Sequence, residues 1–294
     1  RVNPNNPQST TDFVCDICVG DVPKPTEGST KYTFKIRKDA KFWGDFRAGG
    51  KRINDKDFNA GLLGDKVTAK DVKGVLGSSV TAYDVAKNFS LIIFPPKGVP
   101  SARKAFFRMV KSVEATDANT VVFKLKFPSG AFIPAVALPF NAIYPKAMLD
   151  IDPNFFTKNI FGSGPFMFDE YQPGSFVKGV RNPTYHQKDA NGNSLPYLDG
   201  VRSISAPKMA IRLNAIRGDR AAIEFRGFPP KARDDLKKAL GNKITVQESN
   251  WNCGLMFIGN HKHKFFSKPD VRRALSLAVD RWGGSKYLSK IAIV

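Results

Sequence analysis

Four short motifs between Gly162 and Val201 constrain the fold of this chain more than any other feature. They follow one another in the order Gly162-Ser163-Gly164-Pro165-Phe166-Met167-Phe168, Tyr171-Gln172-Pro173-Gly174-Ser175, Arg181-Asn182-Pro183-Thr184-Tyr185 and Leu195-Pro196-Tyr197-Leu198-Asp199-Gly200-Val201. Pro165 favours a turn over a phosphate-binding loop, because such a loop needs free N–H groups at the start of a helix. None of the motifs is decisive alone, and the information lies in their order and spacing.

Further segments belong to the same pattern. They are Tyr32–Phe42 with Val67–Val72, Val113–Asp117 with Thr120–Leu125, Ile211–Asp219, and Lys268–Arg281. Together with the four motifs, they resemble the extracytoplasmic solute-binding proteins of ABC importers, in the peptide- and nickel-binding branch (family 5). The resemblance departs after Phe42, where the family usually has a His-Asp-Gly turn and this chain has an insertion rich in Gly, Lys and Asp that extends to Gly64.

The resemblance implies the fold class. We expect an α/β protein with the two-lobe fold of type II periplasmic binding proteins, an extra inserted α+β domain, and a second lobe that is largely missing. The expected divisions are residues 1–21 as the N-terminal segment of lobe I, 22–150 as the inserted domain, 151–250 as the α/β part of lobe I, and 251–294 as the hinge and the start of lobe II. Family members are considerably longer, so we expect the chain to be a fragment.

Local patterns predict several secondary-structure elements without reference to the family. Alternation of Tyr32, Phe34 and Ile36 with polar residues predicts a strand with one buried face. The stretch Lys111–Phe127 predicts a hairpin with one apolar face, which consists of Val121, Phe123, Leu125 and Phe127.

Other patterns predict helix ends and connections. Thr68 followed by Asp71 predicts a helix that begins with a capping box. The composition of the segment from Gly44 to Gly64 predicts a long surface loop. Near the C-terminal end, strands at 221–225 and 244–247 on either side of a proline-initiated helix, 230–240, are expected to form a βαβ unit.

The charge balance raises the question of an anionic partner. The chain has 46 Lys+Arg and 26 Asp+Glu residues, a formal net charge of +20, and a sequence pI near 9.9. Such a charge favours non-specific binding to nucleic acid or to an anionic membrane surface. Because the basic residues are spread along the chain without a nucleic-acid-binding module, we expect no nucleic acid partner. A basic secreted protein that binds anionic surfaces remains an alternative.

Two observations concern the compartment. No apolar stretch is long enough to span a bilayer, and the start of the chain lacks the succession of residues that makes a signal peptide.

The spacing of Cys15 and Cys18 alone is compatible with half of a zinc site, with a redox pair or with a tight disulfide. A second cysteine pair is missing and glycine and prolines follow Cys18, so we favour an oxidised structural loop in a periplasmic protein.

Catalytic and metal sites find little support in the sequence. The chain contains no Gly-x-Ser-x-Gly motif, no P-loop and no catalytic triad, so we expect a protein that is not an enzyme and needs no cofactor. His261 and His263 keep open the alternative of a nickel or metallophore carrier, since the resembled family includes such proteins. The lysines beside both histidines would repel a cation, and we therefore predict no metal ligands.

The predicted ligand-binding residues lie mainly on one segment, which in the resembled proteins crosses between the lobes. They are Asn250, Trp251, Asn252, Cys253, Gly254 and, after a predicted strand, Arg226. The indole offers a broad apolar surface, the two amides suit a peptide backbone, and the glycine permits close approach of a ligand. An arginine at the end of a strand can pair with a ligand carboxylate. A hinge strand packed in the core is the alternative.

These expectations combine into one functional hypothesis. The resemblance implies the periplasmic substrate-binding component of an ABC importer, which captures di- or oligopeptides or another small-molecule ligand by hinge closure. It would act as a monomer and deliver the ligand to a permease in the inner membrane. No covalent bond would be made or broken.

Overall fold

The computed structural model describes residues 1–7, 9, 11–225, 227–247 and 258–280. The chain forms two compact units, Arg1–Ser205 (unit 1) and Ala206–Val294 (unit 2). The finer division into lobe segments and an inserted domain stays a prediction.

Unit 1 contains three small antiparallel sheets. Its strands are β1 (Lys31–Lys35), β2 (Arg47–Ala48), β3 (Lys51–Arg52), β4 (Val110–Asp117), β5 (Thr120–Leu125), β6 (Phe166–Gln172), β7 (Phe176–Arg181) and β8 (Gly200–Ile204). Their orders are β1-β5-β4, β2-β3 and β6-β7-β8. The helices of unit 1 are α1 (Ala69–Val75), α2 (Ala82–Ile93), α3 (Phe132–Val136) and α4 (Lys146–Ile151), with 3-10 turns at Ala60–Leu63, Lys104–Phe107 and Phe155–Thr157.

The predicted first strand and hairpin are confirmed, with one exception. β1 pairs with β5, and β5 pairs with β4. Val121, Phe123 and Leu125 are buried on one face, but Phe127 is exposed. The apolar alternation continues to Phe127 in the sequence, whereas pairing ends at Leu125 because its partner Val110 is the first residue of β4.

Two aromatic clusters form the core of unit 1. The first packs α2 against the β1-β5-β4 sheet, with Phe89 edge-on to Phe107 and Phe123 at ring-centroid distances of 5.7 and 5.2 Å. The second surrounds Phe161, which contacts Phe42 at 6.0 Å and Trp43 at 5.8 Å. Edge-on and stacked ring contacts of this kind add to the stabilisation that burial provides.

The segment from Gly44 to Gly64 is more than the surface loop that its composition predicts. It contributes Phe46, Ala48, Ile53 and Leu63 to the second cluster. β2 and β3 form its hairpin, and Arg47 reaches Asp169 of β6 at 2.7 Å. The prediction was wrong because a few well-spaced apolar anchors fix a segment whose average composition is polar.

The predicted capping box is confirmed. Thr68 Oγ1 accepts from Asp71 N at 3.2 Å, and Asp71 Oδ2 accepts from Thr68 N at 2.8 Å, at the start of α1. Hydrogen bonds from Thr68 hold the pKa of Asp71 below its usual value. This keeps a negative charge at the N-terminus of the helix, where it is favourable.

Unit 2 is helical in its described part. Its helices are α5 (Met209–Arg217), α6 (Pro230–Leu240) and α7 (Pro269–Ala278), with a 3-10 turn at Gly241–Lys243. α6 begins with proline, as the sequence predicts, and α5 ends at Gly218. The strands predicted at 221–225 and 244–247 are wrong, because no described segment of unit 2 pairs with them and an unpaired strand leaves its backbone groups unsatisfied.

Candidate ligand-binding site

The predicted ligand-binding residues cannot be placed. Asn250, Trp251, Asn252, Cys253, Gly254 and Arg226 lie outside the described residues. Their role in ligand binding stays a prediction. The described residues offer a candidate site inside unit 1.

A cavity of about 550 Å³ lies between the N-terminal segment, α2, the β1-β5-β4 sheet and the connections after α3 and α4. Its walls are mostly apolar and aromatic, and include Phe34, Phe89, Phe123, Ile133, Tyr144 and Phe161. This volume and this lining are usual for small-molecule sites in proteins. Sequence reasoning missed the cavity because its walls come from segments far apart in the chain.

Asn141 supplies an unpaired acceptor at the cavity wall. Its Nδ2 donates to the carbonyl oxygens of Ala135 and Val136 at 2.8 and 2.9 Å, which fixes the amide against the end of α3. Its Oδ1 is buried and has no hydrogen-bond partner. Because an unpaired buried acceptor is costly, a ligand that brings an N–H or O–H group here would gain a hydrogen bond and relieve that cost.

The first of the four sequence motifs forms another part of the wall. Trp43 N donates to Gly162 O at 2.8 Å and Trp43 Nε1 donates to Gly164 O at 3.0 Å. Asn182 Nδ2, from the third motif, donates to the same Gly164 oxygen at 2.9 Å. The Gly-Ser-Gly-Pro turn therefore holds the indole in place, and its role here is structural.

Tyr144 is positioned by α2. Asn88 Nδ2 donates to Tyr144 O at 2.7 Å, and Asn88 Oδ1 accepts from Tyr144 N at 3.1 Å. The Tyr144 ring stacks on Phe156, with ring centroids 4.1 Å apart. Burial raises the pKa of Tyr144, so its hydroxyl stays neutral and adds no charge to the cavity.

The charged residues at the cavity come from the N-terminal segment. The guanidinium of Arg1 donates to Gln187 Oε1 at 2.6 Å, and Gln187 Nε2 donates to Asp16. His186 lies beside them, with its Nε2 3.9 Å from Asp16 Oδ1. Burial, together with the charge of Arg37, lowers the pKa of His186, which favours a neutral imidazole. Arg1 and Asp16 thus place opposite charges at this edge.

Cys15 and Cys18 form a disulfide, as the loop interpretation predicts. Cys18 lies in the cavity wall. The backbone of residues 17–19 forms hydrogen bonds with the backbone of Lys35 and Arg37 at the end of β1. The covalent link fixes the turn that carries Asp16 and Ile17, both of which also line the cavity.

Within the described residues, no group of three or more His, Cys, Asp or Glu side chains is arranged to hold a metal ion. His263 instead contacts the rings of Phe265 and Phe266 at 5.5 and 5.4 Å. In the same part of the chain, no helix is both long and apolar enough to cross a membrane.

An aromatic cavity with a free acceptor in its wall, built into mixed α and β elements, is typical of a protein that binds small ligands. Residues 20–283 match the family described as "Bacterial extracellular solute-binding proteins, family 5 Middle". The chain therefore belongs to this family, whose members are non-enzymatic binding proteins of transport systems, and the predicted fold class is confirmed.

Curated relatives include peptide-binding proteins. The chain is 32% identical to the oligopeptide-binding protein AppA of Bacillus subtilis over 235 residues, a match that covers 77% of this chain and 40% of AppA. It is 28% identical to the probable D,D-dipeptide-binding periplasmic protein DdpA of Escherichia coli, covering 82% of this chain and 44% of DdpA. The chain thus spans less than half the length of these relatives.

Solved structures show the same fold. The periplasmic binding protein DppA of Helicobacter pylori, in complex with the peptide STSA, matches with a TM-score of 0.62 and 22% identity. That match covers 92% of this chain and 48% of DppA. AppA of Bacillus subtilis, in complex with a nonapeptide, matches with a TM-score of 0.59 and 24% identity, covering 90% of this chain and 45% of AppA.

Proposed function

We propose that this chain is part of the substrate-binding component of an ABC importer and that its substrates are peptides. The observation that carries the proposal is the similarity over most of the chain to AppA, an oligopeptide-binding protein. The full protein would bind its ligand outside the cytoplasm as a monomer, close about a hinge, and present the ligand to a membrane permease.

The cavity of unit 1 suggests which groups of a peptide would be bound. Its apolar walls suit an apolar side chain of the peptide, and the free Oδ1 of Asn141 suits a backbone N–H. The predicted residues Asn250, Trp251 and Asn252 stay a separate prediction of contacts to the peptide backbone. The expected preference is for peptides with large apolar residues over peptides of acidic residues.

Filling the cavity tests this assignment. Ala137 lines the cavity, and an Ala137→Phe variant would occupy the space that the ligand side chain needs. We expect at least a tenfold loss of affinity for a leucine-rich tripeptide in isothermal titration calorimetry, because apolar burial and the space for it are both lost. The matched control, Ala190→Phe, adds the same ring at an exposed loop position and should bind like the parent.

The possible outcomes separate the parts of the proposal. If the parent chain binds tripeptides and Ala137→Phe binds them equally well, the cavity is not the site, and a Trp251→Ala variant then tests the predicted segment. If the full protein that contains this chain binds no peptide of a mixed library, peptides are not its substrate class.

A further inference from the structure

Two stretches of unit 1 carry positive charge without any acidic residue. Residues 85–113 and 118–149 contain no Asp or Glu. Their basic residues are Lys87, Lys97, Arg103, Lys104, Arg108, Lys111, Lys124, Lys126 and Lys146. The excess of positive charge in the chain is therefore partly concentrated in these stretches, although the sequence shows no run of basic residues.

The fold brings the two stretches together at one end of the β1-β5-β4 sheet. β4 begins where β5 ends, and Lys126 N donates to Met109 O at 2.7 Å. The turn Lys104–Phe107 packs on α2 through Phe107 and Phe89. Arg103 reaches the segment after α3, where its guanidinium carbon lies 3.9 Å from the ring centroid of Phe140.

Aromatic side chains are exposed at the same end of the sheet. The exposed fractions are 44% for Phe94, 48% for Phe106, 53% for Phe127 and 58% for Phe140. Arg103 lies near two of these rings, since its guanidinium carbon is also 5.8 Å from the ring centroid of Phe106. Arg103 therefore connects two of the exposed rings, and contiguous exposed apolar groups often mark an interaction surface.

The basic groups around these rings are available to a partner. Lys97, Lys104, Arg108, Lys111 and Lys126 are exposed, and among the described residues none of them lies within ion-pair distance of a carboxylate. The nearby Glu27 is already paired with Lys31 at 2.7 Å. We call this surface the basic aromatic face: Phe94, Lys97, Arg103, Lys104, Phe106, Arg108, Lys111, Lys126, Phe127 and Phe140.

We propose that the basic aromatic face binds the surface of an anionic lipid bilayer. Lys and Arg side chains near a membrane are attracted to anionic headgroups, and phenylalanine rings between them can enter the boundary of the acyl chains. The face offers phenylalanine rather than the polar aromatic groups that hydrogen-bond to a protein or a base. Bilayer binding would hold the protein near a membrane, independently of any ligand in the cavity.

Vesicle co-sedimentation of the full chain tests this proposal. The probe is vesicles of phosphatidylglycerol and phosphatidylcholine, compared with vesicles of phosphatidylcholine alone. We expect binding to the anionic vesicles that weakens steeply between low and high salt, because exposed charges are screened. A triple variant with Lys104→Gln, Arg108→Gln and Lys126→Gln should bind at least tenfold more weakly, since each basic residue contributes about 1 kcal/mol near such a surface.

A control variant distinguishes the face from net charge. Lys70→Gln, Lys73→Gln and Lys158→Gln remove three exposed charges elsewhere in unit 1 and should leave binding within about twofold of the parent. A double variant, Phe106→Ser with Phe127→Ser, should weaken the part of the binding that persists at high salt. All substituted positions are exposed and none lines the cavity, so circular dichroism should show that each variant folds.

Three results would overturn the proposal. These are no binding of the parent chain to anionic vesicles, equal binding to vesicles of phosphatidylcholine alone, and an equal loss in the two triple variants. Displacement of the vesicles by single-stranded DNA at the same face would instead assign the face to nucleic acid. None of these results bears on peptide binding, which is measured without vesicles.

Discussion

At the scale of single residues, Asn182 is held by hydrogen bonds on every side of its amide. It is fully buried. Its backbone N donates to Pro165 O at 2.9 Å, its Nδ2 donates to Gly164 O, and its Oδ1 accepts from the Thr184 N–H at 3.1 Å and from its hydroxyl at 3.0 Å. One asparagine thus joins the first and third sequence motifs.

Replacing this asparagine should weaken unit 1. In Asn182→Ala, the backbone bond to Pro165 remains, but the buried partners of the amide lose their hydrogen bonds, and we expect a loss of about 3 kcal/mol. Urea unfolding followed by far-ultraviolet circular dichroism measures the change. Asn191→Ala, at an exposed loop position, should change stability by less than about 0.5 kcal/mol. Equal effects in the two variants would contradict this account of Asn182.

The candidate site shows what the sequence could not predict. The motif residues identify the family, but they form a structural turn and do not themselves reveal the cavity. The Nδ2 group of Asn141 donates to the end of α3, which leaves its Oδ1 without a partner. No local sequence pattern predicts these hydrogen bonds. The segment that does carry recognisable binding chemistry, around Trp251, lies outside the described residues.

At the scale of elements, one short motif is used twice. The pattern Val-Thr-Ala-x-Asp-Val occurs at Val67–Val72 and again at Val80–Val85, and each copy begins a helix. Sequence reasoning predicted the first copy and missed the second. Asp71 is half-buried, whereas Asp84 is buried and accepts from Thr81 N at 2.8 Å and, through its other oxygen, from Lys146 N at 2.7 Å.

The two copies form a natural pair for comparison. Asp84→Ala removes acceptors from the start of both α2 and α4 in a buried place, and we expect a loss of about 3 kcal/mol. Asp71→Ala removes the cap of α1 alone, at a less buried position, and should give a clearly smaller loss. Thermal unfolding of both variants under identical conditions measures the difference. If Asp71→Ala lost more stability than Asp84→Ala, Asp84 would not be the residue that connects the starts of α2 and α4.

Local elements were predictable where local patterns fix them. The hairpin of β4 and β5, the cap at Thr68 and the ends of α5 and α6 follow from alternation, capping and glycine or proline signals. The strands expected at 221–225 and 244–247 were wrong, since a strand depends on a partner that no local pattern supplies. The anchors Phe46, Ile53 and Leu63 were missed for a related reason, because their burial depends on contacts with distant aromatic rings.

At the scale of the whole molecule, the two units differ in how much apolar surface they bury. Unit 1 contains both aromatic clusters. Among the described residues of unit 2, only Ala232 and Leu236 are buried, while Ile223, Phe225 and Leu277 are largely exposed. Burial of apolar surface is the main favourable contribution to folding. The described part of unit 2 therefore gains little stability from its own core.

Hydrogen exchange should show this difference directly. In the full chain, we expect the amides of β4 and β5 to exchange only through global unfolding, whereas those of α5, α6 and α7 open locally and exchange at least tenfold faster. Mass spectrometry of peptide fragments after timed exposure to deuterated buffer measures the rates. Equal protection of both sets of amides would show that unit 2 is stabilised as strongly as unit 1.

The position of Trp43 has an optical consequence. The indole is buried, it is fixed by its hydrogen bond to Gly164, and it forms part of the cavity wall. The chain contains three tryptophans, and replacing Trp251 and Trp282 with phenylalanine would leave Trp43 as the sole indole fluorophore. A molecule that enters the cavity would then change the intensity or wavelength of this emission, and the protein would report its own occupancy without a label.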